Sequence, residues 1–349
     1  MVGLRKSPFS KSPFTAATQT RVGNYIQRRG LLEPGDHVLV AVSGGADSTA
    51  LLLILHAIAD SLGFQLSAAH YNHRLRERIE TAADEAYVSS LCSSLGVALI
   101  RGAGNVASRA RRRKESLEEA ARNARCAFLG DVSKRYRATA VAVGHTQDDR
   151  AETVLLNIIR GAGMEGLGAM QPRAPWPFGR GPWIVRPILV LSQADTGRYC
   201  KEAGITPRED PTNAGLVATR NRVRHELLPA LRRFNPRINE ALVRLSEAAA
   251  RDADALALSA GVEWDRLATI NEGVIFPRRG FVEVHPAIQV RLLQLASAAL
   301  GSEAASAQQL TAVLDGLARR RSKANLPGAI LVTISPSDIK VERSMTFGA

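Results

Sequence analysis

The segment Val40-Ala41-Val42-Ser43-Gly44-Gly45-Ala46-Asp47-Ser48 constrains this chain more than any other. The run His37-Val38-Leu39-Val40-Ala41-Val42 reads as a short strand buried on both faces. Asp47 to Ser61 reads as a helix crowded with leucine and isoleucine. Between them, two adjacent glycines permit a tight turn that points amide N–H groups inward. The helix start adds partial positive charge, and Ser43 and Ser48 add hydroxyl donors. The prediction is an anion cradle at the carboxyl end of a strand. No G-K-[ST] follows and no lysine lies in the loop, so it is not a Walker A loop; G-x-G-x-x-G is also absent. An aspartate in a phosphate cradle calls for a bridging cation, so Asp47 predicts Mg2+. An ordinary strand-to-helix turn would account for a bare S-G-G, but not for strand, Asp and Ser together.

The strand–helix rhythm continues. Gln65 to Tyr71 reads as a strand, Thr81 to Leu95 as a helix and Val97 to Arg101 as a strand. Ser116 to Arg135 is a helix opened by the capping pair Ser116 and Glu119, Ala138 to Gly144 a strand, and Asp148 to Arg160 a helix. Such alternation predicts an α/β fold, a doubly wound parallel sheet with ligands at the carboxyl ends of its strands. Gly161 to Pro187 is glycine- and proline-rich loop. A further unit runs through Arg186-Pro187-Ile188-Leu189 and the helix Ser192 to Ala203. Arg237 to about Arg266 is a helical linker. A small α+β C-terminal domain follows, with a hairpin from Val274 to Val284 around Arg278-Arg279-Gly280, helices His285 to Leu300 and Ser306 to Arg319, and strands Ala329 to Ile334 and Ile339 to Glu342. The expected division is 1–20 a basic disordered extension, 21–235 the catalytic domain, 236–266 the linker and 267–349 the terminal domain.

Charge points to the partner. The 349 residues hold 46 basic and 33 acidic side chains, a net +13, which seeks a polyanion, RNA or DNA first and a membrane surface second. Six basic residues and no acid lie between Met1 and Leu32; a transit peptide is the lesser reading of that start. Arg109, Arg111, Arg112, Arg113 and Lys114 form one basic run, and six arginines against Glu226 alone lie between Ala218 and Ile238. Cys92, Cys126 and Cys200 are far apart, which excludes a disulfide framework or a cysteine zinc site. The longest apolar stretch, Ala50 to Ala59, contains His56 and is too short to span a bilayer. A cytoplasmic protein without membrane attachment is expected.

Two further blocks sit at strand ends. Gly144-His145-Thr146-Gln147-Asp148-Asp149-Arg150-Ala151-Glu152-Thr153 places three acids in a first helical turn. One would merely suit the helix dipole; three opposite a phosphate cradle suit Mg2+ or capture of an amine. In His70-Tyr71-Asn72-His73-Arg74-Leu75-Arg76, nucleotide contact or a hydrogen-bonded core histidine outranks a metal site, because no third ligand has suitable spacing.

In order, S-G-G-A-D-S, H-Y-N-H-R-L-R, S-L-E-E-A-A-R, G-H-T-Q-D-D-R-A-E-T, R-G-A-G, R-P-I-L, E-D-P-T-N and R-N-R-V-R-H-E-L-L-P span about Val38 to Leu231. Together they resemble the bacterial tRNA(Ile)-lysidine synthetases, members of the PP-loop ATP pyrophosphatases with an adenine nucleotide α hydrolase-like fold. Arg150 departs from the glutamine usual after the paired aspartates. No counterpart of the further terminal domain of longer members is expected. The resemblance implies ATP and Mg2+ as cofactors, free L-lysine and a CAU-anticodon tRNA(Ile) as partners, and leaves a homodimer open. Ser43, Gly44, Gly45, Ala46 and Ser48 would hold ATP phosphates, with His70 and His145 against the nucleotide. Asp47, then Asp148, would hold the metal. Asp149 and Glu152, with Asp148 as second choice, would bind the lysine ammonium and take its proton. Arg122 would steady developing phosphoryl charge. Arg112, Arg113, Arg220, Arg222, Arg224, Arg319, Arg320, Arg321 and Lys323 would grip tRNA. The rivals are a tRNA thiolase making 2-thiocytidine, which needs paired cysteines, a small-molecule synthetase, which needs no basic surface, and a non-catalytic RNA-binding module, against which the intact loop argues.

Overall fold

The computed structural model describes residues 12–74, 78–208, 219–302, 307–317 and 322–344. They fall into two units, one from the segments up to Leu156 and Met170–Val243, the other from Asn157–Ala169 and Arg244 onward.

The first unit is the expected α/β domain. Its elements are α1 (Pro13–Arg29), β1 (His37–Ala41), α2 (Ala46–Leu62), β2 (Gln65–Asn72), α3 (Arg78–Leu95), β3 (Ala98–Ala103), α4 (Val106–Arg113), α5 (Leu117–Tyr136), β4 (Ala140–Ala142) and α6 (Gln147–Ile159). After α7 (Met164–Leu167), which belongs to the second unit, come β5 (Arg173–Ala174), β6 (Trp183–Val185), α8 (Gln193–Glu202), α9 (Thr219–Arg222), a π-helical turn (Val223–Leu227) and α10 (Leu228–Phe234). The sheet order is β3-β2-β1-β4-β6-β5, parallel apart from β5. Alternation along β1 explains why it sits centrally: Val38 and Val40 join the core with α1, α2 and α8, whereas Leu39 joins Leu129, Val132, Val141 and Trp176 on the other face. From β1 the chain winds outward through β2 and β3, then returns to pair β4 on the opposite side. That reversal opens a crevice at the carboxyl ends of β1 and β4.

Within the span 1–20 expected to be a disordered extension, the described residues form a cap and a helix, and residues 1–11 lie outside the described residues. Helix α1 starts at Pro13, Ser12 caps it by accepting from the Thr15 N–H at 3.0 Å, and Thr15, Thr18, Val22 and Ile26 are buried. Ser12-Pro13 is therefore a cap followed by a proline at the first helical position, where its missing N–H costs nothing.

The second unit holds most of α11 (Ile238–Leu267), a 30-residue helix, followed by β7 (Thr269–Ile270), β8 (Val274–Pro277), α12 (Arg278–Glu283), α13 (Pro286–Ala299), α14 (Ala307–Leu317), β9 (Ser322–Leu326), β10 (Ile330–Ile334) and β11 (Asp338–Arg343). Its antiparallel sheet runs β7-β8-β11-β10-β9. The hairpin expected around Arg278-Arg279-Gly280 is not formed. β8 stops at Pro277 and pairs with β11, while Arg278 opens α12, which buries Phe281 among Phe276, Leu292, Leu310 and Val332. Strand β9, which carries Lys323, was not expected from the sequence pattern. Among the described residues no helix is long and apolar enough to cross a membrane.

Candidate active site

The loop after β1 has the geometry a phosphate cradle needs. Gly44 takes φ +100°, a left-handed conformation natural only to glycine, and Gly45 caps α2 in extended conformation. The loop is braced from within. Ser43 and Ser48 hydroxyls lie 3.0 Å apart, the Ser43 N–H donates to Ser48 Oγ at 3.1 Å, and Ser48 Oγ donates to the Gly45 carbonyl at 3.1 Å. Both hydroxyls thus rigidify the turn.

β4 closes on this loop from the side. A Cβ on Gly144 would lie 3.0 Å from the Ser48 nitrogen and 3.1 Å from the Asp47 carbonyl carbon. Backbone there cannot yield as a side chain could. Gly144→Ala is therefore expected to lower stability by about 1–3 kcal/mol and to weaken ATP binding. Denaturant unfolding and equilibrium nucleotide titration check both; unchanged ATP affinity would show that the two strand ends do not share one site.

Asp47 stands at the start of α2. Its Oδ1 accepts from Thr196 Oγ1 on α8 at 2.5 Å. Burial, reinforced by the negative charges of Asp149 and Asp148, pushes its carboxyl up to about 6 despite that hydrogen bond. A carboxylate whose charge is so poorly compensated fits a cation. Among the described residues no three His, Cys, Asp or Glu side chains converge on one point, so a Mg2+ held at Asp47 would complete its shell with phosphate oxygens and water, as this ion prefers.

The acid block opens α6. Thr146 and Asp149 form a reciprocal cap: Asp149 Oδ2 accepts the Thr146 N–H at 2.9 Å and its hydroxyl at 3.0 Å. Asp149 Oδ1 receives Arg220 at 3.2 Å and Arg224 at 3.4 Å. Glu152, only 1% exposed, receives Arg220 Nε on Oε2 at 2.9 Å, and Arg224 on Oε1 at 2.5 Å and on Oε2 at 3.0 Å. This changes the sequence reading of four residues. Arg220 and Arg224, expected on tRNA phosphates, neutralise the acids. Asp149 and Glu152, expected to hold an ammonium, already hold two guanidinium groups. The cause is elementary: two carboxylates taken out of water need cations, and guanidinium forks satisfy several oxygens at once. Asp148 is likewise engaged, accepting from the Gln193 N–H at 2.8 Å, Asn239 Nδ2 at 2.7 Å and Arg232 at 3.4 Å.

Two histidines complete the strand ends. His70 is buried, and its Nδ1 donates to the Val42 carbonyl at 2.8 Å, which ties β2 to the loop. His145 Nδ1 accepts from Arg186 Nε at 3.1 Å. A guanidinium can only donate, so the ring proton sits on Nε2, and His145 offers an N–H donor there. Loss of water around the ring and the charges of Arg186, Arg125 and Arg220 outweigh the pull of Asp149 and push His145 well below the ordinary histidine range. Arg186→Gln removes one of those charges, so the His145 pKa is expected to rise. An imidazole NMR titration checks this, and an unmoved midpoint would refute the pairing.

Arg122 is exposed on α5; burial holds the Arg186 guanidinium down to about 10, and the nearby charge of Arg122 adds to that. Arg150 is buried at 2% exposure, so the departure at this position is an interior one. Arg112 and Arg113 are exposed at the end of α4, and Arg222 is exposed and pairs with Glu226. Arg319, Arg320 and Arg321, and the block Glu209 to Asn213, lie outside the described residues. Thr196, Arg186, Arg232 and Asn239 were not singled out by the sequence, since each reaches its partner across a long chain separation.

A strand-ending S-G-G-A-D-S turn at the crevice of a doubly wound sheet, with an acid-bearing helix start beside it, defines a phosphate-binding α/β domain of the PP-loop class. The family described as PP-loop domain matches residues 15–231, and the chain belongs to that family. Among curated proteins it is 37% identical over 309 residues to the tRNA(Ile)-lysidine synthase of Dehalococcoides mccartyi, covering 86% of this chain and 65% of that protein. It is 41% identical over 228 residues to the tRNA(Ile)-lysidine synthase of Porphyromonas gingivalis strain W83, covering 65% of this chain and 48% of that protein. The chain thus spans less than two thirds of the length of these relatives. Among solved structures, the U34-tRNA thiolase NcsA of Methanococcus maripaludis shares the fold, with a TM-score of 0.58 and 18% identity over 68% of this chain and 80% of that one.

Proposed function

We propose that the chain is a tRNA(Ile)-lysidine synthase that uses ATP to join free L-lysine to the wobble cytidine of the CAU-anticodon isoleucine tRNA. The observation that carries the reading is the convergence of the loop and the acid block: Asp47 lies close enough to Asp149 and Arg224 for all three charges to interact. In the first step the cytidine O2 attacks the α-phosphorus of ATP and pyrophosphate leaves. In the second, the lysine ε-amine attacks C2 and AMP leaves. The lysidine so formed reads AUA instead of AUG.

The side chains have distinct tasks in this scheme. The Gly44 and Gly45 turn and the start of α2 bind the β- and γ-phosphates. Mg2+ at Asp47 supplies charge neutralisation for the departing pyrophosphate. His145, fixed by Arg186, donates from Nε2 toward the nucleotide or the cytidine. Arg122 opposes negative charge developing on the α-phosphoryl group. The ε-ammonium reaches Glu152 and Asp149 by displacing a guanidinium, and loses its proton there before attack. The target base leaves its stack to enter the crevice. Exposed Arg112, Arg113, Arg222 and Lys323 remain for tRNA phosphates. A cytoplasmic location goes with a tRNA substrate.

The thiolase reading lacks support in the cysteines. Cys92 and Cys200 are buried, and burial pushes their thiols up to about 11 and about 12, away from the reactive thiolate. The experiment that tests the proposal is nucleotide analysis after incubation with ATP, L-lysine and the tRNA. AMP and pyrophosphate, formed only when the tRNA is present, are expected; ADP and phosphate would overturn it.

A further inference from the structure

The amino ends of the strands, opposite the crevice, carry a basic surface that the catalytic scheme does not use. We infer that it is an RNA-contact surface for a part of the tRNA outside the anticodon arm, with Arg135 and Arg173 on phosphates and Trp183 stacked on an unpaired base. The inference builds on the reading that a tRNA is the substrate.

Three features carry it. First, hydrogen bonds hold the parts side by side. The Trp183 N–H, at the start of β6, donates to the Thr139 carbonyl at 3.0 Å, and the Thr139 N–H, just before β4, donates to the His37 carbonyl at 2.9 Å. His37 opens β1, and its Nδ1 donates to the Tyr136 carbonyl at 3.0 Å, where α5 ends. On the other flank Arg173 Nη1 donates to the Gly30 carbonyl at 3.0 Å, where α1 ends. The ends of two helices and the starts of three strands thus form one surface. Second, its charge is uncompensated. Arg28, Arg135, Arg137 and Arg173 are exposed, and among the described residues none of them pairs with a carboxylate. By contrast Arg101, Arg198 and Arg208 of the same unit each face an acid. Against the four stand Glu33 and Asp36, in the turn before β1, and Asp36 already accepts the Glu33 N–H at 2.7 Å. Helix dipoles account for Arg28, Arg135 and Arg137 at the ends of α1 and α5, but not for Arg173, which no helix carries. Third, large rings lie exposed among these cations. The Arg173 guanidinium sits 4.3 Å from the Trp183 ring centroid and that of Arg135 5.7 Å from the Tyr136 centroid. Trp183 is 44% exposed and Tyr136 43%. A merely solvated basic face has no use for such rings, whereas bases stack on them while phosphates take the charges. The five residues of β1 span about 17 Å. An RNA whose wobble base lies in the crevice therefore meets this surface only with a part remote from that base.

Equilibrium binding to the full chain, over a range of salt, tests this on two RNAs: the whole CAU-anticodon tRNA and its anticodon stem-loop alone. The unaltered chain is expected to hold the whole tRNA at least about tenfold more tightly than the stem-loop. The double variant Arg135→Gln/Arg173→Gln is expected to lose that advantage and to lessen the slope of log affinity against log salt by about two, one for each lost phosphate contact. Trp183→Leu is expected to weaken whole-tRNA binding by about fivefold or more, as for one lost stacked base, with the salt slope unmoved. Stem-loop affinity, and kcat with saturating tRNA, are expected to stay at the parent's values. Equal losses on the two RNAs would overturn the assignment, because the damage would then lie in the fold or the crevice. Unchanged binding of the whole tRNA would overturn it too; loss of binding to phosphatidylserine vesicles in its place would give the surface to an anionic membrane. Absence of AMP when the unaltered chain is given ATP, L-lysine and the tRNA would end the reading of function, whereas the binding pattern alone decides the surface.

Discussion

Asp47→Asn is expected to lower tRNA-dependent ATP–pyrophosphate exchange by about a thousandfold or more, the scale on which removal of a preorganised charge from a reacting centre is felt. The same variant is expected to be more stable than the parent at neutral pH. The two effects have one cause. Folding strips water from Asp47 and sets it near Asp148 and Asp149, so its carboxyl rises from the ordinary 3.8 to about 6. A group whose pKa is raised by folding contributes stability that is complete below 3.8 and lost as pH rises through about 6. At pH 8 the gap corresponds to about 3 kcal/mol held against the ligand-free fold. Asparagine keeps an oxygen to accept from Thr196 and drops the charge. The midpoint of thermal unfolding should therefore rise at pH 8 and stay unchanged near pH 4. A variant less stable at pH 8, or one retaining exchange, would show that Asp47 is a structural cap and not a strained site for a cation.

Glu152→Ala is expected to destabilise the protein by about 3–5 kcal/mol, the usual result of stranding buried partners of an ion pair. Glu152 is the more enclosed partner, 1% exposed, against side-chain exposures of 33% for Arg220 and 25% for Arg224. Without it, two guanidinium groups are left to share Asp149. Glu152→Gln keeps the shape and tests the charge alone. Combining it with Arg224→Gln should restore part of the loss, because the second change removes the unmatched cation. Denaturant unfolding of the single and double variants measures this coupling; strictly additive effects would mean that the pair contributes no net interaction. In activity, lysine use should fall further than adenylation. Equal losses in both steps would place Glu152 at the metal instead.

What the sequence revealed follows from what acts locally. β1, the glycine turn and α2 were legible because hydrophobic run, turn and helix start are neighbours in the chain. The Thr146–Asp149 cap follows the same three-residue spacing as Ser116–Glu119 but was not expected, because Asp149 reads first as one acid of a charged cluster. The start of α1 is less legible: Ser12-Pro13 is a standard opening, but six basic residues without an acid between Met1 and Leu32 give that stretch the composition of a solvated extension. The β8 hairpin was misread because Arg278-Arg279-Gly280 has turn composition, whereas the partner of β8 is a strand some sixty residues on. The site failed in the same way. Arg220 and Arg224 looked like RNA-binding side chains because their partners lie 68 and 72 residues earlier in the sequence. The Asn239–Asp148 bond spans 91 residues and the Arg186–His145 bond 41. A basic residue reads as surplus charge until the fold supplies the acid that it neutralises.

The most direct test of the central claim supplies purified protein with ATP, Mg2+, labelled L-lysine and CAU-anticodon tRNA(Ile), then maps the label by nuclease digestion. Label on the wobble cytidine, with one AMP and one pyrophosphate formed per lysine incorporated, is the predicted result. Pyrophosphate release without label in the RNA, or label at any other nucleotide, would contradict it.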